Sequence, residues 1–280
     1  MKRLLFFLFL IITATHWQCT KENTPPTYIS ISGFNVSVTA GQGSATNKIT
    51  DAHVFVNGNS LGVYPLPTIF PIVDTGNIQL EIFAGIRNNG IKSNPIMYPF
   101  YSKLSYTIPA KSDKTVTINP TVKYNADARF WLTDDFEKTN SLTVSYDLND
   151  SIKFSPISNG FEGRSAQIIL TKAQPTFTKA SNVKAQIPAN AQNTFIELNY
   201  KIDAPLSVGI WGTSISDPIG ATTYKITLFP NKEWNKTYIN VTNEIKDLAR
   251  TDYQVVFNST LPDSLSTATI LIDNLKLIQN

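Results

Sequence analysis

Between residues 28 and 39 (YISISGFNVSVT) apolar and polar side chains alternate, the period of a half-buried strand, and Gly41-Gln42-Gly43-Ser44 then breaks the run. Residues 52–56 form a second such run, closed by Asn57-Gly58 and followed by residues 60–64. Asn-Gly accepts positive φ at both central positions of a type I′ turn, so these two runs predict a hairpin whose register the turn sets. Residues 78–86, 102–108 and 115–124 complete a set of about seven short strands, punctuated by Asn88-Asn89-Gly90 and by residues 111–114. No segment before residue 125 has helical spacing.

Around residues 125–129 a polar, non-alternating stretch interrupts the strands and the pattern restarts, so the domain boundary is placed there. Residues 194–202 and 206–211 alternate cleanly, each offering one face to a core. Residues 243–250 carry the one helical spacing, through Ile245, Leu248 and Ala249, with Thr242 and Asn243 as candidate caps. The expectation is an all-β chain of two tandem β-sandwich modules, residues 27–124 and 128–280.

The N-terminus follows a different rule. Lys2 and Arg3 precede an apolar run from Leu4 to Ile12, which is too short to span ~30 Å of hydrocarbon and reads as an export signal over residues 1–18. The one cysteine of the chain, Cys19, comes next, where a signal would be cut. The stretch resembles a bacterial lipoprotein signal, with Gln18 standing where that family usually has a small residue. Thr20-Lys21-Glu22-Asn23 resembles the export tag that sends lipoproteins of the Bacteroidota to the outer face of the outer membrane. The resemblance implies a lipid-anchored outer-membrane protein, acylated on Cys19 and tethered through residues 19–26.

Charge and composition narrow the chemistry. The chain has 24 Lys+Arg against 21 Asp+Glu, and removing residues 1–18 takes Lys2 and Arg3, leaving 22 − 21, or +1. With no basic run of five, a nucleic-acid partner is excluded. A single Cys excludes a disulfide scaffold. Of two histidines, His16 leaves with the signal, and His53 alternates within residues 51–56, where it reads as a strand residue rather than a catalytic base. No GxGxxG, Walker, HExxH or GxSxG pattern occurs, and Gly41-Gln42-Gly43 lies between strands without a following helix, so it is no phosphate cradle.

Two further resemblances concern the modules. In the first, Asp51-Ala52-His53-Val54-Phe55-Val56-Asn57-Gly58 and Asn77-Ile78-Gln79-Leu80-Glu81-Ile82-Phe83-Ala84 resemble the PEGA-like and carboxypeptidase-regulatory-like sandwiches, which implies a spacer. In the second, Phe130-Trp131-Leu132-Thr133-Asp134-Asp135-Phe136-Glu137, residues 160–170, and the closing Ile272-Asp273-Asn274-Leu275 resemble the galactose-binding-like jelly roll of carbohydrate-binding modules. That resemblance implies a possible structural calcium held by Asp135, Glu137 and Asp273, since a hard cation collects several oxygens. The alternative is that Asp134 and Asp135 are solvated edge charges and Asp273 caps a strand end. The same carboxylates read as a glycosidase pair need a separation and a cleft for which the sequence carries no signature.

Trp131, Trp211 and Trp234 are candidate platforms for a sugar ring or members of the core, with Trp234 the most exposed because it follows Asn231-Lys232-Glu233. Asp150-Ser151-Ile152 and Asp263-Ser264-Leu265 resemble the Bacteroidota O-glycosylation sequon, with Ser151 and Ser264 as acceptors. The function expected is a non-catalytic surface lipoprotein acting in binding or assembly. Glycan capture beside a polysaccharide-uptake system and docking in a surface protein complex are the forms it would take, and a glycoside hydrolase stands behind both.

Overall fold

The computed structural model describes residues 25–145 and 152–280. The export signal, Cys19 and Ser151 therefore lie outside the described residues. In the first module the strands are β1 (Thr27–Ile31), β2 (Asn35–Ser37), β3 (Asp51–Val56), β4 (Asn59–Pro65), β5 (Thr68–Ile72), β6 (Asn77–Arg87), β7 (Pro95–Met97), β8 (Leu104–Pro109), β9 (Thr115–Ile118) and β10 (Thr121–Lys123). They form sheets in the orders β5-β1-β9, β10-β2 and β4-β3-β6-β7, with β8 also paired to β6.

The turn between β3 and β4 has Asn57 at φ 50° and Gly58 at φ 81°, the conformation the dipeptide predicts. The expected strand 28–39 is divided into β1 and β2, and the run 115–124 is divided at Pro120, which has no N–H to give a ladder. Two strands carry no alternation signal. β5 contains Pro71 and β7 opens with Pro95, and both lie at sheet edges, where proline is tolerated.

The second module contains β11 (Arg129–Asp134), β12 (Val144–Ser145), β13 (Ser155–Ile157), β14 (Ser165–Thr171), β15 (Thr176–Ala180), β16 (Thr194–Ile202), β17 (Leu206–Ser214), β18 (Asp217–Leu228), β19 (Asn231–Asn240), β20 (Asp252–Thr260) and β21 (Thr267–Gln279). One sheet runs β13-β14-β21-β16-β19, with β11 added to β21, and the other runs β12-β15-β20-β17-β18. Their inner faces meet: Ile168, Leu170, Leu198, Ile270 and Ile272 on one side bury against Leu206, Val208, Ile210, Val255 and Phe257 on the other. Each such side chain contributes on the order of 2 kcal/mol by leaving water. The result is the all-β jelly-roll sandwich the sequence predicts.

The single helix among the described residues is α1 (Thr242–Leu248), and its caps differ from the expectation. Val241 occupies the N-cap and has no side-chain acceptor to cap with, while the Thr242 hydroxyl accepts the Thr194 N–H at 2.9 Å. Ala249 ends the helix at φ 48°, its N–H returning to the Ile245 carbonyl.

The outer face of the six-stranded sheet is not left to water. Phe195, Tyr238 and Ile278 of the second module pack into the core of the first. Residues 43–48 also cross the seam: Lys276 Nζ donates to the Ser44 carbonyl at 2.6 Å, Thr46 Oγ1 to Asn199 Oδ1 at 3.1 Å, and the Lys48 N–H to the Tyr238 hydroxyl at 3.0 Å.

Candidate functional site

The three tryptophans lie in three different surroundings, all half-buried. Trp131, in β11, packs beside the second core with the Arg129 guanidinium 3.6 Å above its ring. Trp234, in β19, meets the exposed Phe161 edge to face, with ring centroids 6.0 Å apart, on the outer side of the six-stranded sheet. Trp211, in β17, points to the side opposite Leu206, Val208 and Ile210, onto the outer face of the five-stranded sheet, with its indole N–H donated to the Ile219 carbonyl at 2.9 Å.

Strand pairing decides what accompanies Trp211. Gln254 is its partner on β20, and Gly209, two residues back on the same face, is opposite Tyr224. Ser207, two residues further, lies between Thr227 and Asn258. Tyr224 is 42% exposed. The Ser207 and Thr227 hydroxyls are 3.0 Å apart, and the Asn258 amide is anchored to the Phe177 carbonyl at 2.9 Å. Diagonal neighbours on adjacent strands sit roughly 7–8 Å apart, so Trp211 and Tyr224 form one aromatic strip edged by hydroxyl and amide groups. The alternation found Trp211 on a strand, but not Tyr224, because the bulges in the β17–β18 pairing hide its register from the sequence.

The carboxylates act on loops. Asp273 is fully buried, with Oδ2 accepting the N–H groups of Phe161 at 2.9 Å and Glu162 at 3.1 Å and Oδ1 that of Asn274 at 2.7 Å. Burial pushes its carboxyl up to about 6, outweighing those three donors. Glu137 accepts the Arg164 N–H at 2.6 Å, and the exposed Asp135 accepts the Glu137 N–H at 3.2 Å. These oxygens face N–H groups, whereas a calcium shell needs oxygens converging on the ion. Among the described residues no group of three or more His, Cys, Asp or Glu side chains is placed to hold a metal. The residues as placed do not fit a calcium site.

Asp134 is also not a solvated edge charge. It is buried, and it accepts from the Phe136 N–H, the Thr139 hydroxyl and the Ser141 N–H at 2.9, 2.9 and 2.6 Å, fixing the turn in which Phe136 takes φ 55°. His53 is buried in β3 with its Nε2 unpartnered. Burial lowers its pKa against the opposing pull of Asp51. Ser264 is exposed in the turn before β21.

Sequence reasoning missed a buried ionic knot at the seam. Glu197 is fully buried and accepts the hydroxyls of Tyr98 at 2.7 Å and Tyr124 at 2.9 Å, while Lys236 lies 3.2 Å from its other oxygen. Burial would raise its pKa, but Lys236, Lys276 and the two phenols together hold it below the usual carboxylate value. Burial lowers Lys276 to about 8 in spite of Glu197. Tyr98 and Tyr124 are held well above the ordinary phenol range, first by burial and then by the negative charge of Glu197, and Tyr101 by burial, then by Tyr238 and Glu197.

No protein-family model matches the sequence, and no curated protein matches it. Among solved structures the chain is similar to a family 11 carbohydrate-binding module from Clostridium thermocellum in complex with a β-1,3-1,4-mixed-linked tetrasaccharide, at 16% identity and a TM-score of 0.40, covering 54% of this chain and 94% of that one. It is also similar to a family 30 carbohydrate-binding module, at 10% identity and a TM-score of 0.38, covering 54% of this chain and 87% of that one. A structure of promiscuous carbohydrate-binding modules from the β-sandwich superfamily matches at 13% identity and a TM-score of 0.41, covering 91% of this chain and 99% of that one.

Proposed function

We propose that this chain is a non-catalytic glycan-binding lipoprotein, held at the outer membrane through an acylated Cys19, that takes sugar on the outer face of its five-stranded sheet. The observation that carries the reading is the strip of Trp211 and Tyr224 flanked by Ser207, Thr227 and Asn258. An aromatic ring covers the apolar C–H face of a sugar, and fixed hydroxyl and amide groups meet its hydroxyls, which gives recognition without any titrating group. The buried His53 and the loop-clamping carboxylates supply no acid and base pair, in keeping with binding rather than hydrolysis. The anchor is supported by the short apolar segment that ends at the lone cysteine.

A glycan array of neutral and acidic oligosaccharides tests it. Trp211→Ala should weaken binding by about 1–3 kcal/mol with the melting temperature nearly unchanged. A loss with Trp234→Ala instead would move the site to the other sheet. Polysaccharide turnover that disappears on changing Asp135, Glu137 or Asp273 in a folded protein would replace binding with hydrolysis.

A second reading, docking in a surface protein complex, is favoured by one feature. The tip of the β17–β18 hairpin carries Ile215, wholly exposed, and Ile219, 78% exposed. A blank array, with a partner recovered from outer membranes and lost on Ile215→Ser, would support it.

A further inference from the structure

Along the seam between the modules, two adjoining hollows of about 400 and 420 Å³ share Lys48, Gly90, Lys236 and Thr237 as common walls. Together they make a groove that neither module forms alone. The first module supplies the end of β6 and the turn after it, and the second supplies the β18–β19 turn and the start of β19. Among the described residues four cations line it, Lys48, Arg87, Lys92 and Lys236, and no acidic side chain does.

In a chain whose overall charge is almost balanced, that segregation is the unusual feature. Two of the cations have inner partners: Arg87 pairs with the buried Asp51 at 2.9 Å, and Lys236 with Glu197 at 3.2 Å. Lys48 is steered by a bond of 2.5 Å from Nζ to Asn235 Oδ1, and Lys92 is exposed at the rim. The charge left uncompensated at the groove is therefore positive, from Lys48 and Lys92, with the two paired cations behind them.

We propose that this groove binds an acidic glycan, a polyhydroxylated chain bearing carboxylate or sulfate groups. The cations take the anionic groups, and the amides of Asn89 and Asn231 meet the ring hydroxyls. A strand-like peptide is disfavoured because the edge it would extend is taken. The Asn89 N–H already donates to the Tyr238 carbonyl at 2.9 Å, and Asn89 Oδ1 accepts the Asn240 N–H at 2.8 Å. One wall of the groove is the end of β18 and includes Thr227, but Trp211 and Tyr224 do not line it, so the inference does not depend on sugar binding at those rings.

The test uses the folded chain from residue 20 onward with an oligogalacturonate tetramer and its fully methyl-esterified form, which has the same backbone without the charge. Calorimetry should show the acid bound at least tenfold more tightly than the ester, with affinity falling as salt rises. Lys48→Glu combined with Lys92→Glu should lower affinity for the acid at least tenfold, while the charge-matched Lys114→Glu, exposed in the turn after β8 and outside the groove, leaves it nearly unchanged; the melting temperature of both variants confirms that they are folded. A heparin tetrasaccharide in parallel separates sulfate from carboxylate recognition. Absence of binding by both charged sugars, equal binding of the ester, or undiminished binding by the double variant would overturn the proposal. So would an oligoglutamate peptide that binds more tightly than both charged sugars and is lost with the same variant, which would make the occupant an acidic protein segment.

Discussion

Tyr98 and Glu197, 99 residues apart in the chain, meet at 2.7 Å between the phenol oxygen and Oε1, and this bond joins two modules that the sequence reads as separate. Burial of a carboxylate is costly unless it is paired and fully hydrogen-bonded. Oε1 of Glu197 receives its hydrogen bonds only when Tyr98 and Tyr124 arrive from the first module, while Oε2 relies on the charge of Lys236 3.2 Å away. Glu197→Ala should therefore destabilise the protein by about 3–5 kcal/mol, because Lys236 and Lys276 then remain buried without their anion. Glu197→Gln, which retains an acceptor for Tyr98, should cost less; equal stability of wild type and Glu197→Ala in urea titrations would refute the account.

Asp273 predicts a pH dependence of known sign. Its folded value, raised by burial to about 6, exceeds that of an unfolded aspartate near 4. Between those values the folded chain binds more protons, so the contribution of this group is complete below about pH 4 and declines as pH rises through 6. The stability difference between wild type and Asp273→Asn should accordingly shrink between pH 4 and 7, as read by thermal melts. A difference that grows over this range would contradict the assignment.

Gly209 lies under a bulge of β18, and a Cβ there would sit 2.0 Å from the Thr223 carbonyl oxygen and 2.7 Å from the Tyr224 Cα. Both obstacles are backbone, so neither can swing aside. Gly209→Ala should cost at least about 1–3 kcal/mol and displace Tyr224, weakening glycan binding together with stability. Unchanged melting would show that the two strands are less closely packed.

Lipidation predicts a mass. Intact-protein mass spectrometry of membrane fractions should find a diacylglyceryl adduct on Cys19, and Cys19→Ala should release the chain into the soluble fraction. A variant that stays membrane-bound at the same mature mass would remove the anchor from the function.

The sandwich was legible because its strands obey local rules. Asn57-Gly58 specifies its own turn, and residues 194–202 and 206–211 alternate around the second core. The seam was not legible for a related reason. Glu197, Asn199, Lys236 and Lys276 occupy the polar positions of alternating strands, which ordinarily face water, and here a second layer covers them. Alternation tells which face is apolar, but not what lies against the polar one. Asp134 and Asp273 were found as residues but their roles were not, because a carboxylate facing backbone N–H groups and one facing a cation look alike in sequence.

The knot at Glu197 also has a mechanical meaning. Sliding the modules apart would strand one carboxylate and two ammonium groups before any water reached them, so the seam resists small openings and offers no gradual hinge. A polymer chain pulled away from the sandwich would therefore load both modules as one body, the force passing through the seam instead of parting it.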